Sequence, residues 1–219
     1  MTLKYTLPWL LAYLCGSVNV AILVTRAFKK KDIRLLGSGN AGATNMTRNF
    51  GLQWGIVIFI LDAGKSTLAI LLGRALYARF GIVGGVALDY LPFIFVIVGH
   101  CFPVFFGFRG GKGIATAVGG LLVLNPIVLS LVVAVFIFVA IKTRVVALAS
   151  IYAAFCTPVA YIIWASVNKR FTVEFLFLVA SSGLIIFLHI QKADKNLLRV
   201  LKETTIGRVV CGKDLGRRR

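Results

Sequence analysis

GIATAVGGLLVLNPIVLSLVVAVFIFVAI, residues 113–141, decides how many times this chain enters the bilayer. Read as one helix from Gly113 to Ile141, it would span roughly 43 Å at 1.5 Å per residue, against a hydrocarbon core of about 30 Å. Asn125-Pro126 lies inside it. Proline has no N–H to give and clashes with the preceding turn, so it breaks or kinks a helix there. The stretch is therefore one kinked span or two short segments.

Apolar runs of span length flank it on both sides: Tyr5–Val24, Gly51–Gly73, Gly81–Phe106, Val145–Asn168 and Phe171–Leu188. The positive charges arbitrate between six and seven segments. With six, Lys and Arg divide 10 against 14 between the two sides, with Lys65 inside a span. With seven, the segments 26–50, 107–113, 142–144 and 191–219 share one side and carry 19, leaving 5 opposite. The positive-inside bias favours the second arrangement. The expectation is an all-α integral membrane protein, a bundle of seven transmembrane helical segments with the N-terminus out and the C-terminus in. The pair around Asn125-Pro126 should be tilted or partly re-entrant.

Composition agrees. The chain has 219 residues, 59% of them hydrophobic and 15% charged, with a mean hydropathy of +0.91. Soluble domains are only about 45–50% apolar. No linker or low-complexity stretch divides residues 1–219, so one domain is expected, ending in a basic cytoplasmic tail, 191–219. The first apolar run lacks a small-residue cleavage site and is followed by Arg26 and Lys29-Lys30-Lys31, which reads as a retained anchor. The net charge of +18 suits anionic lipid and phosphorylated substrates, and equally suits topology alone. So little soluble surface argues against nucleic acid. Cys15, Cys101, Cys156 and Cys211 form no CxxC pair, and with only two histidines no metal spacing appears.

Two Gly-rich, cation-bearing segments separate the spans. The first runs from Gly37 to Asn45 (GSGNAGATN), with Arg48 just after it; the second is Gly99-His100-Cys101-Phe102-Pro103, leading into Phe108-Arg109-Gly110-Gly111-Lys112-Gly113. Glycine lets a ligand approach the backbone, successive N–H groups form anion nests, and Arg or Lys adds charge. In the first segment the candidates are Ser38, Gly39, Asn40, Thr44, Asn45 and Arg48; in the second, His100, Gly110, Gly111, Lys112 and Gly113. Ser150, in a later span, is counted with the substrate-binding candidates. In the tail, Asn196 and Arg199 are three apart and face the same way on an expected amphipathic helix.

Other features weigh less. Ala63-Gly64-Lys65-Ser66-Thr67 resembles a phosphate-binding loop briefly, but Phe59 stands where its first glycine belongs. Asp62 and Lys65, i and i+3 inside a span, can pair, either on a substrate or proton path or as a structural ion pair; the structural reading is preferred. His100 is a general base or a hydrogen-bonded structural residue. His189 closes the last span and reads as interfacial.

With these residues the chain resembles the bacterial membrane glycerol-3-phosphate acyltransferases that use acyl phosphate as donor. The resemblance rests on GSGNAGATNMTR (Gly37 to Arg48), GHCFPVFFGFRGGKGIATAVG (Gly99 to Gly119) and YLCGS (Tyr13 to Ser17). It implies transfer of an acyl group from acyl phosphate to the 1-hydroxyl of sn-glycerol 3-phosphate, without metal or cofactor, at the cytoplasmic face of a bacterial inner membrane. It implies Ser38, Arg48, Lys112 and Asn196 as the catalytic set. The third motif departs from the family pattern H-x-x-N-I-x-R-L followed by Glu. Asn196 and Arg199 match, Ala193 holds the histidine position, Leu197 and Val200 replace Ile and Leu, and Glu203 is the only nearby glutamate. The competing class is a membrane transporter of a phosphorylated solute, which internal inverted repeats would support; none is visible by eye.

Overall fold

The computed structural model describes residues 3–85, 87–193 and 197–198. All regular structure among them is helical: α1 (Leu3–Ser17), α2 (Val20–Lys29), α3 (Ala43–Phe50), α4 (Leu52–Arg79), α5 (Ala87–Cys101), α6 (Ile114–Leu124), α7 (Pro126–Thr143), α8 (Val146–Val167) and α9 (Glu174–Gln191). Among the described residues, six stretches are long and apolar enough to cross a membrane, counting α1 and α2 together; α6 is a shorter apolar helix.

The break at Asn125 is where the sequence puts it. Asn125 ends α6 and caps α7, its side-chain oxygen accepting from the Val128 N–H at 3.0 Å, and Pro126 takes the first helical position, where no N–H is needed. The two halves are unequal. α7 has 18 residues and can span, whereas α6, with 11, reaches only about 16 Å and cannot cross alone.

A second break was not expected. The run Tyr5–Val24 is not one helix: α1 stops at Ser17 and α2 begins at Val20. Asn19 caps α2 through a 3.1 Å bond from the Ile22 N–H and donates its amide to the Ala41 carbonyl at 3.3 Å. Hydropathy averages over such a residue, because one amide satisfied inside the protein leaves the run apolar.

Bundle contacts explain two small residues. α1 crosses α5 so closely that a Cβ on Gly16 would meet the Val96 carbonyl, and one on Gly99 would meet the Tyr13 carbonyl. Between lipid-embedded helices, where tails are as apolar as leucine, such close backbone packing replaces the hydrophobic drive. The main core, with Tyr90, Phe93, Ile97, Tyr161 and Leu178, joins α5 to α8 and α9. Ile60, Leu68, Phe138, Phe155 and Leu176 point outward as a lipid-facing surface.

The two Gly-rich segments are tied together at one end of the bundle. Arg34 meets Asp32 through Nε–Oδ1 at 3.0 Å and Nη2–Oδ2 at 2.8 Å, and its Nη1 donates to the carbonyls of Phe106 (2.7 Å) and Arg109 (3.3 Å). This fork, joined by Arg26 at 2.9 Å, holds the Asp32 carboxyl far below the ordinary carboxylate range.

Candidate functional site

Asn45 builds the first loop from within. Its side chain is 1% exposed. Its oxygen accepts from the Ser38 N–H at 3.0 Å, and its amide donates to the carbonyls of Ile33 (3.2 Å) and Leu36 (2.9 Å). With both ends committed, Asn45 fixes Ser38 and stands behind the lining of the cavity described next. Gly39 lies outside the lining as well, at a positive φ of 70° that only glycine adopts without strain.

The second loop is folded back on the end of α5. Gly110 N–H donates to the Cys101 carbonyl and Gly111 N–H to the His100 carbonyl, both at 3.1 Å. These two N–H groups are therefore not the expected phosphate nest. A Cβ on Gly111 would run into Nε2 of the His100 ring, so glycine is required there by close approach. From the other side, the Lys192 ammonium donates to the Gly110 carbonyl at 3.1 Å and approaches that of Gly111 at 3.4 Å. Burial pushes the Lys192 ammonium below its ordinary value.

These folded loops enclose a polar cavity of about 140 Å3. Ser38, Asn40, Thr44 and Arg48 come from the first segment and the helix after it; Lys112 and Gly113 come from the second, and Ser150 from α8. The Ser150 hydroxyl donates to the Val146 carbonyl at 2.9 Å, so it offers the cavity an accepting oxygen. Segments separated by more than a hundred residues thus gather two cations and several hydroxyl or amide groups around one volume. Asn196 and Arg199 lie outside the described residues. Ala193 packs beside the apolar cluster of Val145, Ala147 and Leu197.

Three further side chains reach this wall: Asp62, His100 and His189. Asp62 and Lys65 pair at 2.8 Å, as their spacing anticipates. The Lys65 ammonium also meets Nδ1 of His100 at 3.0 Å and the carbonyls of Gly16 (3.2 Å) and Val18 (3.0 Å). The same Nδ1 lies 3.4 Å from Oδ1 of Asp62, so carboxylate, ammonium and imidazole form one buried cluster. One lysine thus joins the break after α1 to α4 and to the base of the second loop. His189 faces inward: it is 3% exposed. The interior face Ile185, Leu188, His189 was readable from its i, i+3, i+4 spacing.

An apolar cavity of about 260 Å3 adjoins the polar one, and Phe59, Ile114 and Phe136 belong to both walls. Deeper in, Phe93, Leu121, Val132, Ala154 and Ile185 line it. Its hydroxyls at Thr157 and Ser181 donate to their own helices, at 2.9 and 3.0 Å, which lessens the polarity they bring to the cavity. Among the described residues, no group of three or more His, Cys, Asp or Glu side chains could hold a metal ion.

Helices long and apolar enough to cross a membrane, packed around a cation-bearing cavity and an apolar one that share a wall, define a polytopic membrane protein. Comparison narrows this class. A family model described as Glycerol-3-phosphate acyltransferase matches residues 6–203. The chain belongs to the glycerol-3-phosphate acyltransferase family. The Glycerol-3-phosphate acyltransferase of Clostridioides difficile (strain 630) is 37% identical over 178 residues, covering 81% of this chain and 86% of the relative. That of Thermoanaerobacter pseudethanolicus is 36% identical over 196 residues, covering 89% and 91%. The crystal structure of PlsY (YgiH), an integral membrane glycerol 3-phosphate acyltransferase, in its glycerol 3-phosphate form superposes with a TM-score of 0.75 at 28% identity, over 96% of this chain and 94% of that one.

Proposed function

We propose that this chain is a glycerol-3-phosphate acyltransferase that takes its acyl group from acyl phosphate and transfers it to the 1-hydroxyl of sn-glycerol 3-phosphate. The products are lysophosphatidate and phosphate, the first step of phospholipid synthesis. The observation that carries the reading is the seam of Phe59, Ile114 and Phe136, where a cavity bearing Arg48 and Lys112 meets one lined by apolar side chains.

Phosphate is a good leaving group, so the protein's task is placement and charge stabilisation. Arg48 and Lys112 neutralise the two phosphates. Ser38, held by Asn45, orients the hydroxyl or the acyl carbonyl, with Thr44, Asn40 and Gly113 around it. Gly110 and Gly111 act through the backbone course that presents Lys112. Asn196 and Arg199 complete the site in this reading. The glycerol oxygen forms the ester bond as the acyl carbon's bond to phosphate breaks, and the hydroxyl proton passes to a phosphate oxygen. The whole chain works as one domain of seven segments, N-terminus out and C-terminus in, in a bacterial inner membrane. Its site opens to the cytoplasm, where the basic loops lie.

The test is purified protein with acyl phosphate and sn-glycerol 3-phosphate, following phosphate and lysophosphatidate together beside an acyl-CoA control. Equal yields from acyl phosphate alone are expected. Glycerol 3-phosphate binding without product would overturn the reading in favour of a transporter or an inactive relative.

A further inference from the structure

We infer that Lys192 is a positioning residue for the reaction proposed above, on which this rests: its ammonium holds the carbonyls of Gly110 and Gly111 and so fixes the loop that presents Lys112 to a substrate phosphate. Lys192 directly follows α9, and its own N–H donates to the Leu188 carbonyl at 3.0 Å, so the side chain starts from an anchored helix end. The ammonium reaches across to the Gly110 carbonyl at 3.1 Å and to that of Gly111 at 3.4 Å.

The loop needs such a holder. Gly110 and Gly111 have no side chains to pack, and glycine leaves the backbone more conformational freedom than any other residue. Their N–H groups donate to the carbonyls of Cys101 and His100, which fixes one edge of the loop. Lys192 takes the other edge. The peptide unit joining Gly110 to Gly111 is then held at its nitrogen by His100 and at its oxygen by Lys192. Arg34 acts one residue earlier, its Nη1 donating to the Arg109 carbonyl at 3.3 Å. Three consecutive carbonyls, 109 to 111, thus each meet a cation. An ammonium donates in three directions and accepts in none, so it suits two neighbouring oxygens. It also offsets their partial negative charge beside Lys112, where a phosphate has to bind. Lys112 and Gly113 follow directly and line the polar cavity. Lys192 is not among the described residues of that lining, so its part is to place Lys112 and not to touch substrate.

The test uses full-length protein carrying Lys192→Met, Lys192→Gln or Lys192→Arg, with thermal unfolding to verify each fold. Hydrogen exchange of peptides spanning residues 109–113 is read by mass spectrometry, beside kcat/KM with acyl phosphate and sn-glycerol 3-phosphate. Methionine donates nothing, glutamine donates from a shorter side chain, and arginine keeps donors for both carbonyls. In Lys192→Met the 109–113 segment is expected to exchange about tenfold faster, with α7 unchanged. Its kcat/KM should fall about tenfold or more, the scale of a small misplacement, while Lys192→Arg stays within about threefold of wild type in both readouts. Lys192→Gln should lie between them. Unchanged exchange in Lys192→Met would overturn the inference. So would faster exchange at wild-type kcat/KM, which is what a merely structural contact gives, or an arginine variant no better than the methionine one. Exchange needs no turnover, so a wild type that makes no product would fail the acyltransferase reading while exchange still decides whether Lys192 holds the loop.

Discussion

Replacing Lys65 by methionine should damage this protein more than any surface substitution. The ammonium is nearly buried, at 9% exposure, and lies within 3.2 Å of Asp62, His100 and the carbonyls of Gly16 and Val18. Methionine fills the volume and donates nothing. Asp62, 1% exposed, then keeps only Nδ1 of His100, 3.4 Å away, against its charge, and the carbonyls at the break after α1 lose their donor. Removing one partner of a buried pair costs about 3–5 kcal/mol. For a chain of this size that corresponds to roughly 6–20 °C in melting temperature. The assay is thermal unfolding of detergent-purified protein followed by tryptophan fluorescence. Converting Asp62 to Asn in the same chain removes the stranded charge, so the double variant Asp62→Asn/Lys65→Met should recover part of the loss, with a coupling of about 1–3 kcal/mol. A Lys65→Met melting temperature within 2 °C of wild type (well under the roughly 6 °C floor), or strictly additive single losses, would refute the account of the cluster.

Gly111→Ala should lower turnover at least about a hundredfold, the scale of about 3 kcal/mol in transition-state placement, because its Cβ displaces the His100 ring and with it the loop carrying Lys112; steady-state kinetics decides. Asn45→Ala removes the bond to Ser38 and two bonds to carbonyls, and at about 1 kcal/mol each should cost roughly 2–4 kcal/mol, read by thermal unfolding beside turnover. Ala154→Phe narrows the apolar cavity and should shift preference toward shorter acyl phosphates without changing KM for glycerol 3-phosphate. The depressed Asp32 carboxyl adds stability that is fully present above about pH 4, the unfolded value, and is lost as pH falls toward the folded value. Asp32→Asn should flatten the acid limb of melting temperature against pH.

Much of the bundle is legible in hydropathy because lipid demands long apolar helices, and Asn125-Pro126 announces its own break. The break at Val18-Asn19 is not legible, since its cause lies in Lys65 on another helix and in the Ala41 carbonyl. The same holds for the site. Ser38, Arg48 and Lys112 can be named from motifs, and the structure brings them, with Ser150, to one cavity. The Asp62–Lys65 pair follows from spacing on one helix, but its third member, His100, comes from a contact that no local pattern encodes. Gly110 and Gly111 look like phosphate donors in sequence because their N–H groups have no local partner; the partners are carbonyls of His100 and Cys101, supplied by the turn after α5. His189 looks interfacial because it ends an apolar run, although its helical face was already inward.

The seam at Phe59, Ile114 and Phe136 has a consequence for release. In the proposed function, a lysophosphatidate made there has its phosphate on one side of the seam and its chain on the other, so the two ends leave together. Longer chains remain anchored longer, and the product should compete with incoming substrate more strongly with each added methylene, at about 0.8 kcal/mol per buried group. Turnover would then be governed by how readily the surrounding bilayer draws the finished lipid away.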